Sequence, residues 1–399
     1  MKIGIIKETK IPVDHRVAFT PDHCINILKK YPDTQIIVQP SDIRCYADEE
    51  YKAAGASLSE DVSDCDVLFG VKEVKIEQLI DNKTYFFFSH TIKKQPYNKE
   101  LLQNIIAKKI QLVDYECLKG KDGKRVVAVG RWAGIVGAYN GIRAYGLKHN
   151  LFNIKPAHQC FDRAEMWAQF DKVKLPNIKI LLTGGGRVTK GAQEVLDAMG
   201  IKNVAMPGYV KEKYKTPVYI QLDSDAYNKR KDGKVFDYED FYANPENYES
   251  DFDQYLPHTD LLIAGAYWDP KAPVLFTKED VKSSLFKINT IADITCDIEG
   301  SIPTTVRSTT IQEPFFDFSR TEQIEKQPFS GTSNITVMAV DNLPCELPRD
   351  ASTAFGDMLL EYVIPTLLGK ENSEIISDAS ITKSGSLTSK FTYLSDYIA

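Results

Sequence analysis

Four polar side chains in the first third of the chain have types and positions suited to acid–base chemistry. Lys72 directly follows the apolar run VLFGV, and His90 ends the stretch TYFFFSH. Arg16 lies in DHRVAFTP, just before a helix start, and Glu116 ends LVDYE. If these apolar runs are parallel strands, the four side chains meet at the carboxyl edge of one sheet, where ligands bind in open α/β folds. We therefore predict a proton-transfer site in which Lys72 and His90 are acid and base, with Arg16 placed for a carboxylate.

A second stretch, TGGGRVTKGAQ, is suited to binding a phosphate. An apolar run precedes its three glycines, and an amphipathic helical pattern follows them. Backbone amides and the dipole at a helix start attract anions. Gly184 and Gly186 take the first two positions of the dinucleotide fingerprint, but the third is Thr189 and the next glycine is Gly191. This offset spacing is weaker than the standard motif, yet the strand–turn–helix context predicts a dinucleotide site rather than a plain tight turn.

The residues after the next predicted strand bear on the choice of cofactor. We predict that strand at 204–206, and Pro207 and Gly208 follow it without an Asp or Glu. An acid at this point would bind the ribose 2′-hydroxyl of NAD, and its absence removes a repulsion against a 2′-phosphate. The sequence therefore favours NADP(H) over NAD(H).

Short apolar runs alternate with helical patterns along most of the chain, which is typical of a doubly wound α/β sheet. Strands are predicted at 2–6, 35–38, 66–71, 84–88, 111–113, 178–182, 204–206, 261–264, 290–294 and 335–340. Helices are predicted at 21–30 and 99–108. These runs barely alternate, as expected for parallel strands buried on both faces.

The length of 399 residues predicts two domains. We expect a substrate domain of residues 1–150 plus 342–399, because the amphipathic segment 357–369 follows the last strand of the second sheet and needs another surface. Residues 151–341 form the Rossmann domain in this prediction, and the active site lies in a cleft between the two domains. The tyrosine-rich stretch 209–255 is interpreted as an insertion, either a lid or a contact in a homo-oligomer, and the sequence leaves both open.

Composition excludes several other classes of protein. The net charge of −6, with 43% apolar and 26% charged residues, indicates an ordinary globular protein and does not favour nucleic acid or an anionic membrane. Seven scattered cysteines without a CxxC predict buried thiols and neither disulfides nor a metal site. The N-terminus MKIGIIKETK is unlike a signal peptide and no apolar run is long enough to span a bilayer, so we expect a cytoplasmic protein.

Motifs spread over nearly the whole chain resemble one known family. They include KETKIPVDHRVAFTP, KTYFFFSHTIKKQ, DGKRVVAVGRWAGIVG, TGGGRVTKGAQEV, IADITCDIEGSIPTT and VDNLPCELPRDAS. They are similar to the alanine dehydrogenase and lysine-forming saccharopine dehydrogenase superfamily, above all to the lysine–2-oxoglutarate reductase half of bifunctional lysine-degrading enzymes. The resemblance implies two Rossmann-like domains and the reductive condensation of L-lysine with 2-oxoglutarate to saccharopine. Because the chain ends at Ala399, without the second half of those enzymes, we expect a stand-alone reductase.

The resemblance also implies roles for individual residues. Lys72 and His90 match the family's acid–base pair, while Arg16, Glu116 and Arg125 match the substrate side. The implied cofactor residues are Gly184, Gly185, Gly186, Arg187, Val188, Gly191 and, close to the nicotinamide, Asp341. Two alternatives stay open: an alanine dehydrogenase or other opine or amino-acid dehydrogenase of the superfamily, and a non-catalytic NAD(P)-binding regulator.

Overall fold

The computed structural model describes residues 1–369 and 373–399 and divides the chain into two compact units. The first unit consists of Met1–Val129 with Pro348–Ala399, and the second unit is Gly130–Leu347. The sequence places the first boundary after residue 150, whereas the second unit begins at residue 130. The difference is one helix, residues 130–148, whose packing partners belong to the second unit.

The bounds of the strands and helices are as follows. The strands are β1 (Lys2–Ile5), β2 (Gln35–Val38), β3 (Ser57–Leu58), β4 (Val67–Phe69), β5 (Thr84–Phe87), β6 (Gln111–Asp114), β7 (Lys179–Thr183), β8 (Lys202–Asn203), β9 (Val218–Leu222), β10 (Asn228–Arg230), β11 (Tyr248–Ser250), β12 (Leu261–Ala264), β13 (Thr290–Asp293), β14 (Phe315–Phe318), β15 (Glu325–Lys326), β16 (Ile335–Met338), β17 (Ser380–Lys383) and β18 (Ser386–Leu387). The helices are α1 (Pro21–Lys30), α2 (Asp48–Ala53), α3 (Lys99–Ala107), α4 (Gly130–Lys148), α5 (Arg163–Trp167), α6 (Arg187–Ala198), α7 (Gly208–Lys211), α8 (Tyr238–Ala243), α9 (Pro348–Tyr362), α10 (Ile364–Leu368), α11 (Ile375–Asp378) and α12 (Ser395–Ile398).

The first unit contains an eight-stranded sheet in the order β18-β17-β6-β5-β4-β1-β2-β3. Strands β1 to β6 pair in parallel, the C-terminal strand β17 pairs antiparallel with β6, and β18 pairs antiparallel with β17. Val67 pairs with Ile3 on one side and with Thr84 on the other, so β1, β4 and β5 run level with each other. The residues that follow these strands therefore emerge at one edge of the sheet.

The C-terminal helix α9 belongs to the core of the first unit. Phe355 packs edge-on against Tyr115, with ring centroids 4.9 Å apart, and both rings are buried. The hydroxyl of Ser352 accepts a hydrogen bond from the backbone N–H of Val17 at 3.0 Å. The aromatic burial and this hydrogen bond attach the end of the chain to its beginning.

The second unit contains another eight-stranded sheet, in the order β15-β14-β16-β13-β12-β7-β9-β8. Six strands are parallel, and β14 and β15 complete one side antiparallel to their neighbours. The chain leaves β7 toward β9 on one side and later returns to β12 on the other. The carboxyl ends of β7 and β12 therefore form the topological switch point, where Rossmann-like sheets bind their ligands. Both units are Rossmann-like, as the sequence predicts.

One predicted strand is wrong. Residues 204–206 are not a strand, and the strand beside β7 is β9, inside the stretch 209–255 that the sequence analysis interprets as an insertion. The same stretch also supplies the two-stranded ribbon β10–β11 and helix α8. The signal for β9 is its run VYIQL, which is rich in β-branched and aromatic residues, but it is short and lies among charged residues. The other nine predicted strands occur with ends within two residues of those predicted.

Within the described residues, no helix has both the length and the apolar composition needed to cross a membrane.

Candidate functional site

The structure brings the polar residues predicted for the first unit to one edge of its sheet. Lys72 follows β4, His90 follows β5, and Glu116 follows β6, while Arg16 lies in the segment between β1 and α1. Since β4, β5 and β6 are parallel and adjacent, their carboxyl ends point the same way. Arg125 joins this edge through its contacts with Glu116 and Phe88.

His90 is held by a carboxylate that the sequence analysis missed. Nδ1 of His90 lies 2.7 Å from Oε1 of Glu73, and Nζ of Lys10 lies 2.5 Å from Oε2 of the same carboxylate. Burial by itself would raise the pKa of Glu73, but the interactions with His90 and Lys10 outweigh it and lower the pKa to about 2. Glu73 is therefore ionised at neutral pH and orients the ring, which leaves Nε2 as the ring atom placed for proton exchange.

One backbone feature and one ring contact fix the position of the imidazole ring. His90 has a left-handed backbone with φ of 54°, directly before the short helical turn 91–93. Its ring stacks on Phe88, with centroids 6.3 Å apart and planes 14° from parallel. A strained backbone held by packing is a common feature of functional sites.

The backbone of Lys72 is held by a hydrogen bond, and its side-chain amine lies in a largely buried environment of low dielectric constant. Its N–H donates to Oε2 of Glu8 at 2.8 Å, and the N–H of Val71 donates to Oε1 of Glu8 at 2.7 Å. Within the described part of the chain, Nζ of Lys72 has neither an ion pair nor a hydrogen bond. Burial and then the nearby Arg16 cation lower the pKa of Lys72, which increases the fraction of neutral amine at a given pH.

Glu8 is a second carboxyl group that sequence reasoning missed. Burial, together with the charge of Asp14, raises the pKa of Glu8 to about 8. Glu8 joins the segment after β1 to the end of β4 through the two hydrogen bonds described above. The available signal was its position in KETK, directly after the first strand.

Arg16 is engaged within the chain. Its Nε and Nη2 donate to Oδ1 and Oδ2 of Asp14 at 3.0 and 2.6 Å, and both residues are buried. This bidentate ion pair uses Nε and Nη2 of Arg16, the guanidinium edge that we predicted would bind a substrate carboxylate. Arg16 therefore lies at the expected edge of the sheet, but this edge of its guanidinium is already paired with Asp14.

Glu116 and Arg125 form an ion pair beside His90. Oε1 of Glu116 lies 3.4 Å from Nη1 of Arg125 and 3.3 Å from Nζ of Lys93. The guanidinium of Arg125 lies 5.4 Å from the centroid of Phe88, the same ring on which His90 stacks. Phe88 therefore contacts both the imidazole and a cation suited to a carboxylate.

In the second unit, the glycine turn needs two of its three glycines, Gly184 and Gly185, for steric reasons. Gly184 has φ of +96°, and a Cβ there would lie 2.8 Å from Oγ1 of Thr189. A Cβ on Gly185 would lie 2.2 Å from Oδ1 of Asp223, whereas a Cβ on Gly186 would meet nothing within 4 Å. Helix α6 begins directly afterwards at Arg187, and no side chain caps it. The turn thus presents backbone at a helix start, as a pyrophosphate requires.

Gly191 has a different role from the one predicted. A Cβ there would lie 2.0 Å from the carbonyl oxygen of Arg131 in α4, and a Cβ on Gly134 would lie 1.8 Å from the carbonyl oxygen of Val188 in α6. The two helices therefore touch backbone to backbone, and Gly191 is buried in that contact instead of facing a ligand. The side chain of Val188 packs between Gly130 of α4 and Gly265, which directly follows β12.

An acidic residue does follow the strand that lies beside β7, although the sequence analysis predicted none there. Asp223 directly follows β9, the true neighbour of β7, and its carboxylate lies against Gly185. This is the position from which an acid binds the ribose 2′-hydroxyl in dinucleotide folds. The premise that favoured NADP(H) is therefore wrong, because the wrong strand was taken as the neighbour.

Asp341, which we assigned to the cofactor, lies just after β16 at the same edge of the sheet. Its Oδ1 is 3.7 Å from Sγ of Cys296, and Cys296 lies just after the neighbouring strand β13. Two strands, β13 and β12, lie between β16 and β7, so this carboxylate is separated from the glycine turn by the width of two strands.

The parallel sheet, the switch point and the glycine turn define a dinucleotide-binding protein of the dehydrogenase class. Two family models match most of the chain: the N-terminal domain of alanine dehydrogenase/PNT matches residues 4–136, and the C-terminal domain matches residues 166–393. The chain belongs to the alanine dehydrogenase/PNT family of oxidoreductases.

Curated relatives carry names from lysine metabolism. The chain is 34% identical to mitochondrial alpha-aminoadipic semialdehyde synthase of Mus musculus, over 96% of this chain and 46% of that protein. It is 30% identical to the Arabidopsis thaliana synthase, over 98% of this chain and 41% of that protein. The chain thus spans less than half the length of these relatives. Saccharopine dehydrogenase [NAD(+), L-lysine-forming] of Yarrowia lipolytica is 24% identical, over 92% of both chains.

Solved structures show the same fold. An L-alanine dehydrogenase matches with a TM-score of 0.66 and 16% identity, covering 100% of both chains. A transhydrogenase from Sinorhizobium meliloti matches with a TM-score of 0.59 and 14% identity, over 97% of this chain and 100% of the other.

Proposed function

We propose that the protein catalyses the reductive condensation of L-lysine with 2-oxoglutarate to saccharopine, and its reverse, with a nicotinamide dinucleotide. The observation that carries the proposal is the grouping of Lys72, His90 and Glu73 at the carboxyl edge of a first Rossmann-like sheet. The names of the relatives support the choice of substrates, and the family supports the class of reaction.

The residues of the first unit supply the proton transfers. Lys72, with its lowered pKa, takes a proton from the substrate amine so that the nitrogen can attack the keto carbon of 2-oxoglutarate. A proton then moves from the attacking nitrogen to the new alkoxide oxygen, and His90 donates a second proton to the resulting hydroxyl, which leaves as water and gives a protonated imine. Glu73 keeps the ring in one orientation and stabilises it when it is protonated. In the reverse direction the same groups exchange protons in the opposite order.

Carboxylates of the substrates need cations at this edge. Arg125 lies on Phe88 next to His90 and is the residue that we assign to a substrate carboxylate. Glu116 forms an ion pair with Arg125 that holds the guanidinium in position, and the same carboxylate also pairs with Lys93. Arg16 acts through Asp14 and through its effect on the pKa of Lys72.

The second unit fits a nicotinamide dinucleotide, which would supply a hydride to the imine carbon. Gly184, Gly185 and Gly186 would hold the pyrophosphate, and Asp223 the adenosine ribose. Because a carboxylate attracts a 2′-hydroxyl and repels a 2′-phosphate, our proposal is NAD(H) rather than the NADP(H) that the sequence favours.

An aromatic depression beside the turn suits the adenine ring. Its volume is about 590 Å³, and its wall begins at Thr183, the residue before the glycines. Tyr227, Phe241 and Tyr242 line it from the stretch 209–255, which would then serve the cofactor rather than act as a lid. Stacking on such rings favours a flat aromatic base.

The test is a spectrophotometric assay with purified protein. L-lysine, 2-oxoglutarate and NADH should together cause oxidation of the reduced cofactor, and omission of either substrate should stop it. Pyruvate with ammonia is the parallel arm for an alanine dehydrogenase. Oxidation only in that arm, or none in a protein that binds NADH, would contradict the proposed substrates.

A further inference from the structure

A polar cavity of about 780 Å³ lies in the second unit, apart from the glycine turn. It is lined by α4, by the turn 157–159, by the start of β14 and by the turn 343–346. Gly134 marks the point where α4 touches α6, and Arg143 lies nine residues further, about 14 Å along the helix axis. None of the residues assigned above to the reaction or to the dinucleotide lines this cavity.

Arg143 offers this cavity a cation with unused donors. Its Nε donates to the carbonyl oxygen of Ile154 at 3.2 Å, and its guanidinium lies 5.3 Å from the centroid of Phe315. In the part of the chain that the structure describes, neither Nη atom of Arg143 makes a hydrogen bond or an ion pair. A guanidinium placed over a ring, with both amino groups unused, is suited to a carboxylate.

Glu346 offers the same cavity a buried carboxyl group with few hydrogen-bond donors around it. It is 2% exposed, and its Oε1 accepts a hydrogen bond from Nδ2 of Asn140 at 2.8 Å. Its Oε2 lies 3.9 Å from Nδ1 of His158, which is too far for a hydrogen bond, and this Nδ1 is itself buried without a partner among the described residues. A buried carboxylate with so few donors is costly, and a bound ammonium group would satisfy it.

The two charges define the ligand. Asn140 and Arg143 are three residues apart on α4 and therefore face the same side, so the partner of Glu346 and the cation line one wall. The opposite charges disfavour a phosphate or a dicarboxylate, and a single carboxylate is too few for a divalent cation. The remaining wall is apolar and comprises Leu147, Ile311, Pro314 and Phe315.

We propose that this cavity binds a free α-amino acid with an aliphatic side chain, with the carboxylate on Arg143 and the ammonium group on Glu346. The aliphatic side chain would pack on the apolar wall. The site is a second small-molecule site, independent of the proposed reaction.

Isothermal titration calorimetry of the full chain with L-leucine, without any other substrate, tests the proposal. We expect a Kd of about 1 mM or lower. The analogues 4-methylpentanoate and 3-methylbutylamine, each lacking one charge, should bind at least about tenfold more weakly. Glu346→Gln and Arg143→Met should each weaken leucine binding at least about tenfold, while Glu313→Gln, an exposed carboxylate near the cavity, should not.

Arg143 is only half-buried, so its variant should stay folded, and thermal unfolding and NADH titration check this for both variants. Leucine binding that survives in Arg143→Met would place the amino acid elsewhere and overturn the proposal. Equal binding of leucine and either analogue would also overturn it, as would the absence of leucine binding to the unaltered protein.

Discussion

Replacing Asp223 with serine tests how the second unit chooses its cofactor. Asp223 lies against Gly185 directly after β9, and its side chain is exposed. A hydrogen bond from a ribose hydroxyl to a carboxylate contributes about 1.5–3 kcal/mol, which corresponds to about 10–100-fold in Kd. The same carboxylate would lie near a 2′-phosphate, and two like charges about 4 Å apart near a protein surface repel by roughly 4 kcal/mol before screening by salt.

We therefore expect the unaltered protein to bind NADH at least about 100-fold more tightly than NADPH. Asp223→Ser should raise the Kd for NADH by about 10–100-fold and lower the Kd for NADPH, so that the preference shrinks or reverses. Fluorescence titration of each reduced cofactor measures both constants. Asp253→Ser removes an exposed carboxylate at a distance from the turn and is the matched control for net charge.

Two results would refute this reasoning. One is tighter binding of NADPH than of NADH by the unaltered protein. The other is an unchanged ratio of the two constants in Asp223→Ser, because the carboxylate would then not face the ribose. In either case the absence of an acid at 204–206 would not restore the original inference, since those residues do not neighbour β7.

Three further predictions follow from the same structure. Lys72→Met and His90→Asn should each lower kcat by at least about 100-fold, because each removes a proton-transfer group. The Kd for NADH should stay unchanged, since both residues lie in the first unit. Steady-state kinetics and cofactor titration measure the two constants, and a near-normal kcat would contradict the assignment of these residues. Glu73→Gln should lower the free energy of unfolding at pH 7 by roughly 3 kcal/mol, because the pKa of Glu73 falls from 4.5 to about 2 on folding. Since a lowered carboxyl pKa stabilises the fold above the unfolded value, the difference between variant and unaltered protein should shrink as pH falls from 4.5 through about 2, and a gap in urea unfolding that does not change with pH would contradict this. Gly191→Ala should lower the free energy of unfolding by about 1–3 kcal/mol through its clash with α4, whereas Gly186→Ala, with open space around it, should not; equal unfolding curves in urea for the two variants would show that the helices are not in close contact.

Much of the candidate site could be predicted because it depends on local features. Runs such as VLF and TYFF are strands because they are short, apolar and rich in β-formers. In a parallel sheet, the residues that follow such strands share one edge, so Lys72 and His90 could be grouped without coordinates. The glycine turn was visible for the same reason, since a strand, a turn and a helix are contiguous in the chain.

The partners of these residues could not be predicted, because they come from distant parts of the chain. Glu73 contacts His90 and Lys10, and Glu8 contacts the backbone of Lys72, only after β1, β4 and β5 have paired. Their pKa shifts depend on burial and on charges brought close by folding, neither of which a spacing reveals.

By itself, the sequence determined the two alternating α/β patterns, the glycine turn and the strand-end residues, since hydrophobic period and turn chemistry are properties of neighbouring residues. Only the tertiary structure decided that β9 lies beside β7, that Asp223 therefore faces the turn, and that Gly191 is buried against α4. The physical reason is that strand pairing and helix contact are chosen by the total burial and hydrogen bonding of the whole fold. A short segment such as VYIQL can therefore form the strand beside β7 even though its local strand signal is weak.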